Sequence, residues 1–297
     1  MIPAILANGQ QLAGVVSRQA TAGEGVSRFG TMAEAIAALP SDTAFFIASP
    51  PTVHFRQAIA ALEAGHDVIV EKPAFVSPAE AEAAVQAAEA SGSLLVEGFM
   101  NRHTATHRIF LEQWAAGPLK AVECVFTIPA VPEGTFRTDT EIGASNLYDV
   151  ASYVLSALID AGASLQKVRL DRVDNPGRPE QERLHMSGMI GDVHFSSVTG
   201  VAEHYENVMR LTRVDGSDVS FTPFIYGRSG PRRMLGGKGG EVIETVVEDV
   251  NAFEAMLATP LSDWRKTAMS RGRRMIELTR SLERLGLVLS EYRAAAR

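Results

Sequence analysis

The sequence is poor in cysteine and in long apolar runs. Cys124 is the single cysteine among 297 residues, so the chain can form neither an internal disulfide nor a thiolate zinc cluster. No segment approaches the roughly 20 apolar residues that span a bilayer, and the start, MIPAILANGQQ, lacks the basic and apolar parts of a signal peptide. We therefore expect a cytoplasmic protein that does not bind a membrane.

An excess of positive charge is also absent. The chain has 28 Lys and Arg against 35 Asp and Glu, a net charge of −7, which offers no broad surface for nucleic acid. None of the seven histidines has the carboxylate-supported spacing of a metal site. His103 and His107 stand four residues apart, but no third ligand lies nearby in the sequence. We predict neither a nucleic-acid partner nor a metal site.

The length indicates two domains, because a single domain typically holds about 100–150 residues. From Gln11 to Glu97, strand-like runs such as LAGVVSR, TAFFIAS and DVIVEKP alternate with helical stretches. This alternation is typical of a parallel sheet built from βαβ units. Ser77 followed by Pro78 predicts a helix start, since serine caps helices and proline suits the first helical position. We predict a Rossmann-like parallel sheet over residues 1–100.

Residues 101–297 have a different pattern. A helix over 105–115, the strand LKAVECVFTI and a helix over 146–161 precede several strands that are separated by the hairpin signals DNPG, GD and DG. LGGKGGE, residues 235–241, lacks the spacing of a phosphate-binding loop and is interpreted as a mobile loop. Helices are predicted from Glu244 to Leu257 and from Trp264 to Arg293. The second domain is therefore expected to be α+β, with a large, mostly antiparallel sheet.

Two predicted strand ends carry polar residues. SPPTVH, Ser49 to His54, follows one buried strand, and EKP, Glu71 to Pro73, ends the next strand. Ligands of open parallel sheets bind outside the carboxyl ends of the strands. Taken alone, a lysine at such an end is more often a solvated surface residue, so each motif by itself is a weak signal.

In combination these motifs resemble a known family. A strand, then S/T-P-P-x-x-H, a helix ending in A-G and a strand ending in E-K-P are similar to the Gfo/Idh/MocA family, named for glucose–fructose oxidoreductase, inositol dehydrogenase and a rhizopine-catabolism protein. EGFMNRH (97–103), GASNLYDVASYVLSAL (143–158) and EHYENVMRLTRVDGSDVSF (203–221) extend the resemblance along the chain. It implies an oxidoreductase that uses NADP or NAD on a sugar, a cyclic polyol or a nucleotide-linked ketosugar, as a homodimer or tetramer.

The resemblance also implies site residues. It assigns catalysis to Lys72, Asp149 and Tyr153, and contacts to a sugar-like substrate to Arg102, His103, Asn146, His204 and Tyr205. The cofactor would be bound by Ser17, Arg18, Ser49, Pro50, His54, Glu71 and Lys72. An arginine after the strand LAGVV, where NAD-specific folds place a carboxylate, favours NADP, although a surface arginine is an equally good interpretation.

The implied chemistry agrees with the residue types. Hydride transfer at a sugar carbon requires a proton to move on or off the neighbouring oxygen. A tyrosine with an ordinary pKa near 10 is a poor base at neutral pH, and a nearby ammonium stabilises the phenolate. Lys72 can supply this charge to Tyr153, and Asp149 lies four residues before Tyr153 on the same predicted helix face. Without the resemblance, Tyr153 would be interpreted as a half-buried helix tyrosine.

The first strand and the G-x-G-x-x-G turn that usually bind the pyrophosphate are not found in the sequence. Either the chain shown begins downstream of the natural start, or the protein has lost its pyrophosphate site and binds no dinucleotide. In the second case the protein would be a cofactor-independent lyase, epimerase or cyclase, or a non-catalytic partner subunit.

Overall fold

The chain divides into two compact units. The computed structural model describes residues 1–17, 25–130, 132 and 145–296. Unit 1 comprises Met1–Gly98 and Phe253–Ile276, and unit 2 comprises Phe99–Ala252 and Glu277–Arg297. The sequence predicts a single boundary near residue 100. In the structure, residues 253–276 also belong to unit 1.

The elements are numbered in chain order. The helices are α1 Ile2–Ala7, α2 Met32–Ala38, α3 Pro51–Glu63, α4 Pro78–Ser91, α5 Ala105–Ala115, α6 Ser152–Asp160, α7 Ala252–Ala258, α8 Leu261–Lys266 and α9 Ala268–Ala295. The strands are β1 Gly14–Val16, β2 Ser27–Phe29, β3 Phe45–Ile47, β4 Val68–Val70, β5 Leu95–Glu97, β6 Leu119–Ile128, β7 Arg169–Asp174, β8 Arg183–Ile190, β9 Val193–Val201, β10 Glu206–Arg213, β11 Asp218–Thr222, β12 Gly230–Lys238 and β13 Glu241–Asp249.

Unit 1 contains the predicted parallel strands. β1 pairs with β2, and β3, β4 and β5 form a second parallel sheet in that order. All three residues of β4 are buried, as expected for a parallel strand that is covered on both faces. The predicted start of α4 is confirmed, because the Ser77 hydroxyl accepts a hydrogen bond from the backbone N–H of Glu80 at 3.3 Å.

Unit 2 contains the predicted large sheet. Eight strands follow the order β13-β12-β11-β10-β6-β9-β8-β7, and every pairing is antiparallel except that of β6 with β9. The mixed α/β fold with a parallel first sheet and a mostly antiparallel second sheet is therefore confirmed.

Three predictions near the carboxyl end differ from the structure. Residues 235–241 are not a loop, since they include the end of β12, the start of β13 and a turn in which Gly239 and Gly240 have φ values of 64° and 93°. Residues 244–249 are strand rather than helix, because the β-branched run Thr245, Val246 and Val247 favours a pleated strand. The predicted single helix from Trp264 is divided into α8 and α9 at Thr267.

Each unit has its own hydrophobic core. The core of unit 1 includes Phe45, Leu62, Val70, Phe75 and Met275, and that of unit 2 includes Phe99, Phe110, Leu155, Phe221 and Leu282. In the part of the chain that the structure describes, every helix is too short or too polar to cross a membrane.

Candidate functional site

The carboxyl ends of β3 and β4 lie side by side in unit 1. The two strands are parallel, and Ile47 stands opposite Val70. The backbone N–H of Glu71 donates to the carbonyl of Ile47 at 2.8 Å, so the pairing continues into the segment that carries Lys72. Ser49 and Pro50 follow the end of β3. The two strand-end motifs of the sequence therefore come together at one sheet edge, as their order along the chain predicts.

His54 lies between these two strand ends. It sits in the first turn of α3 and is only 1% exposed. Its Nε2 lies 2.6 Å from the carbonyl oxygen of Ser49, and its Nδ1 lies 3.2 Å from that of Pro73 and 3.1 Å from that of Ala74. Burial lowers the pKa of the His54 imidazole, and the three carbonyls act in the opposite direction.

Carboxylates hold the backbone on both sides of Lys72. The N–H of Lys72 donates to Oε2 of Glu71 at 3.2 Å, and the N–H of Ala74 donates to Oε1 of Glu97 at 3.1 Å. Glu97 ends β5 and is 5% exposed. Sequence reasoning missed Glu97 as part of this arrangement, although a glutamate that ends an apolar strand indicates a buried acceptor in need of donors.

The same edge fits a ligand that carries phosphate or ribose groups. α3 begins at Pro51, and among the described residues no side chain caps its amino end, where backbone N–H groups attract anions. The Ser49 hydroxyl lies there and donates to Oε1 of Gln57 at 2.6 Å. Ser17 follows β1, with its N–H bonded to the carbonyl of Phe29 at 3.1 Å. Arg18, on which the NADP preference rests, lies outside the described residues.

Tyr153 occupies an aromatic environment in unit 2. It is half-buried near the start of α6, and its hydroxyl donates to the sulfur of Met100 at 3.5 Å. Its ring packs edge-on against those of Phe99 and Phe126, with centroid distances of 5.4 and 6.1 Å. These contacts orient the phenol.

The helix that precedes Tyr153 differs from the prediction. A π-helical turn over Leu147–Ala151 replaces the first part of the α-helix expected over 146–161. The i, i+4 argument for Asp149 assumes α-helical spacing and no longer applies to it, because a π turn bonds residue i to i+5. Asp149 is half-buried, and its N–H donates to the carbonyl of Ser145 at 2.8 Å.

Arg102 belongs to a buried charged group. Its Nε donates to Oδ2 of Asp160 at 2.7 Å, and Nε2 of His107 lies 3.3 Å from the same oxygen. Burial by itself raises the pKa of the Asp160 carboxyl, but the adjacent guanidinium and imidazole lower it to about 2. His103 is half-buried in the 3-10 turn Met100–His103, whereas His107 lies in α5. They are therefore not neighbours on one helix.

Asp160 and its imidazole partner were missed from the sequence. A carboxylate next to Ile159 in the apolar run VLSALID indicates a buried charge that requires a cation.

Within 1–17, 25–130 and 145–296, no group of three or more His, Cys, Asp or Glu side chains could hold a metal ion.

The other predicted substrate residues lie in different environments. Asn146 is 7% exposed, and its amide donates to the backbone carbonyls of Pro179 and Glu182 at 2.8 and 2.9 Å. Tyr205 is 46% exposed, and its hydroxyl accepts from the amide of Asn207 at 2.9 Å. Burial raises the pKa of the Tyr205 hydroxyl, and that hydrogen bond opposes the rise. The side chain of His204 is 85% exposed.

Comparison with known proteins identifies relatives of this chain. Residues 2–99 match the family model described as "Oxidoreductase family, NAD-binding Rossmann fold". The chain is 30% identical to a dTDP-3,4-didehydro-2,6-dideoxy-alpha-D-glucose 3-reductase of Streptomyces antibioticus over 194 residues. This alignment covers 61% of this chain and 57% of the relative. It is also 30% identical to an inositol 2-dehydrogenase of Rhodococcus jostii over 226 residues. That alignment covers 70% of this chain and 60% of the relative. The chain thus aligns with less than two thirds of the length of either relative.

Solved structures show the same fold at low identity. A 3-ketoreductase from Actinomadura kijaniata, in complex with NADP and TDP-benzene, has a TM-score of 0.77 at 18% identity, covering 94% of this chain and 90% of that one. An aldose-aldose oxidoreductase from Caulobacter crescentus, complexed with glycerol, has a TM-score of 0.74 at 18% identity, covering 93% and 84%.

Proposed function

Because residues 2–99 match the model of NAD-binding Rossmann-fold oxidoreductases and the chain is similar to a dTDP-ketosugar reductase, we propose that it is a Gfo/Idh/MocA oxidoreductase that transfers a hydride between NADP and a sugar-like substrate. The substrate class is a sugar, a cyclic polyol or a nucleotide-linked ketosugar. Two relatives support this range, since one is named for reducing a dTDP-linked ketosugar and the other for oxidising inositol. The observation that carries the proposal is the meeting of the polar ends of β3 and β4 at one sheet edge in unit 1.

A bound nicotinamide dinucleotide supplies or accepts the hydride. The chain's own residues bind it and move the proton. In the proposal, Ser49, Pro50 and the amino end of α3 hold its polar groups. Ser17 and Arg18 contact its adenosine ribose, where an arginine favours a 2′-phosphate.

Tyr153 is the proposed acid or base. Its hydroxyl gives a proton to the substrate oxygen during reduction and takes it back during oxidation. Lys72 provides the positive charge that stabilises the phenolate, and Asp149 accepts a hydrogen bond from a substrate hydroxyl. The ring contacts with Phe99 and Phe126 hold the phenol in one orientation, which limits the entropy lost when the substrate binds.

A double-mutant cycle tests this proposal. Lys72→Met and Tyr153→Phe should each lower kcat by about 10²-fold or more, as expected for the loss of acid–base catalysis. The double variant should lose little more than either single variant, because residues that act as one unit are not additive. The matched controls are Lys120→Met at an exposed position and Tyr292→Phe, which removes a half-buried phenol hydroxyl that donates to the carbonyl of Asp171 at 2.7 Å; both are remote in sequence from the proposed pair.

Titration with NADP and NAD tests the cofactor. Submillimolar binding of NADP, with weaker binding of NAD, is the expected result. If neither dinucleotide binds and Lys72→Met leaves turnover intact, the proposal fails, and the cofactor-independent or non-catalytic alternatives replace it.

The homodimer or tetramer implied by the family remains a prediction, which light scattering of the purified protein tests.

A further inference from the structure

His54 has no ring nitrogen left for a ligand. Both nitrogens already face backbone carbonyls, at 2.6 Å on one side of the ring and at 3.1 and 3.2 Å on the other. The imidazole is 1% exposed, so a cofactor could reach it only by displacing these contacts. A direct cofactor contact, expected from the sequence, is therefore a poor explanation for a buried imidazole in this position.

The three carbonyls belong to two chain segments that bear the proposed site. Ser49 lies two residues after the end of β3, and Pro73 and Ala74 come immediately after Lys72. His54 thus lies between Ser49, five positions before it, and Pro73 and Ala74, which follow it by 19 and 20 positions in the chain. A neutral imidazole has one N–H and donates to carbonyls on one side only, while the other ring nitrogen packs against the remaining carbonyl. This hydrogen bond and the close packing of the ring restrain the end of β4 against the end of β3.

Glu97, at the end of β5, contacts the same backbone segment. Its carboxylate accepts the N–H of Ala74, the residue whose carbonyl contacts His54. Ala74 and Phe75 are completely buried, which prevents the backbone after Lys72 from moving toward solvent. The Ala74 N–H is therefore bonded to Glu97, and the Ala74 carbonyl lies within hydrogen-bond distance of the His54 ring.

We propose that His54, supported by Glu97, is a positioning residue that fixes the backbone turn from which Lys72 extends. The inference rests on the proposed function of Lys72 for its effect on catalysis. Its structural part, the restraint of residues 72–74, stands independently of any reaction. Misplacement of a catalytic group by about 1 Å can lower a rate by about 10²-fold, so the position of the backbone that carries Lys72 matters for the proposed reaction.

Hydrogen exchange of the ligand-free protein tests the restraint. In His54→Asn, peptides that cover residues 70–76 should exchange at least about tenfold faster than in the wild type. The matched control is His66→Asn, because His66 is also buried (2% exposed) and contacts a single backbone carbonyl, that of Thr43 at 2.9 Å, at the amino end of the same strands. His66→Asn should leave exchange over 70–76 unchanged. Unchanged exchange in His54→Asn would overturn the proposal.

Steady-state kinetics separate positioning from cofactor binding. We expect His54→Asn to lower kcat by about 10- to 10²-fold with the KM for NADP nearly unchanged. In a Lys72→Met background, His54→Asn should have no further effect on kcat. A raised KM for NADP with unchanged kcat would show instead that His54 serves the cofactor. Faster exchange over 70–76 in a protein without oxidoreductase activity would support the restraint while the proposed function fails.

The wild-type protein provides a second measurement if His54→Asn does not fold. Nitrogen-15 NMR of the imidazole should show a ring N–H that exchanges as slowly as the amides of the core, as expected for a buried donor to a carbonyl. A ring proton that exchanges at the rate of a solvated histidine would overturn the proposal.

Discussion

Cys124 lies in β6 with its side chain in the core of unit 2, where it is 3% exposed. Burial raises the pKa of its thiol, because the low-polarity interior disfavours the thiolate. The residue is therefore a small apolar core side chain rather than a reactive nucleophile, and nothing in the runs that flank it in the sequence contradicts this role.

We predict that Cys124 does not react with a thiol reagent in the native protein. The thiolate is the reactive species, and both burial and the raised pKa reduce its population. Labelling with a chromogenic disulfide at pH 8 should reach one equivalent only after addition of guanidinium chloride. Rapid stoichiometric labelling without denaturant would contradict the buried position.

Asn146 is predicted to stabilise the fold. Asn146→Ala removes two donors from the buried carbonyls of Pro179 and Glu182, which should lower the free energy of unfolding by about 1–3 kcal/mol. His204→Ala, at an exposed position, should change it by less than about 0.5 kcal/mol. Urea denaturation measures both. If Asn146→Ala were as stable as the wild type and raised the KM for the substrate, the substrate-binding role implied by the resemblance would be restored.

Asp160 joins three separate elements of unit 2. It ends α6, Arg102 belongs to the 3-10 turn after Phe99, and His107 belongs to α5. The side chains of Asp160 and His107 are 6% and 4% exposed, so their interaction is little screened by solvent. A carboxylate in this position fixes how the three elements pack.

Asp160→Asn should therefore destabilise unit 2. Breaking a buried ion pair by removal of one partner costs about 3–5 kcal/mol. Asp192→Asn, in the exposed turn between β8 and β9, is the control and should change the free energy of unfolding by less than about 0.5 kcal/mol. Equal urea midpoints for the two variants would show that the Asp160 carboxylate contributes no net stability.

The same carboxylate predicts a dependence on pH. The folded pKa of Asp160 is about 2, below the ordinary value of 3.8, so folding favours the ionised form. Its contribution of about 2 kcal/mol is fully present above pH 3.8 and is lost as the pH falls through the folded value of about 2. Urea unfolding of the wild type between pH 5 and pH 2 should show this loss. Asp160→Asn should lack this component, and an identical pH profile in the variant would contradict the assignment.

At the level of elements, local sequence signals predicted the limits of helices and strands correctly where tertiary contacts favour the same structure. The Ser77 cap of α4 and the limits of β6 match the predictions, since capping and β-branched alternation are local properties. The β12–β13 hairpin was missed because its glycines and glutamates weaken the strand signal of the β-branched residues in β13, whereas pairing along the edge of an eight-stranded sheet stabilises both strands.

At the level of the whole molecule, α9 contributes to two cores. Met275 and Ile276 belong to the core of unit 1, and Leu278, Leu282, Leu285 and Leu289 belong to that of unit 2. Unit 1 is also held to its carboxyl-terminal segment by Arg265, whose guanidinium lies 3.2 Å from the carboxylate of Asp67. One helix thus stabilises both units.

Core substitutions in α9 should act on one unit at a time. Met275→Ala and Leu282→Ala each remove a buried side chain, 2% and 0% exposed, at an expected cost of about 2–5 kcal/mol. Hydrogen exchange should increase in β3 to β5 for Met275→Ala and in β6 and α6 for Leu282→Ala. Increased exchange in the same set of peptides for both variants would contradict the division into two cores.

The sequence by itself determined the resemblance to NAD-binding oxidoreductases, the parallel and antiparallel sheets, and the order of polar residues at the strand ends. These properties follow from local periodicity and from motifs that are contiguous in the chain. Only the tertiary structure decided that His54 contacts the carbonyls of Pro73 and Ala74, that Arg102 pairs with Asp160, and that Asn146 binds the backbone near Glu182. Each of these contacts joins residues far apart in sequence, and a side chain's partners depend on which distant segments fold against it.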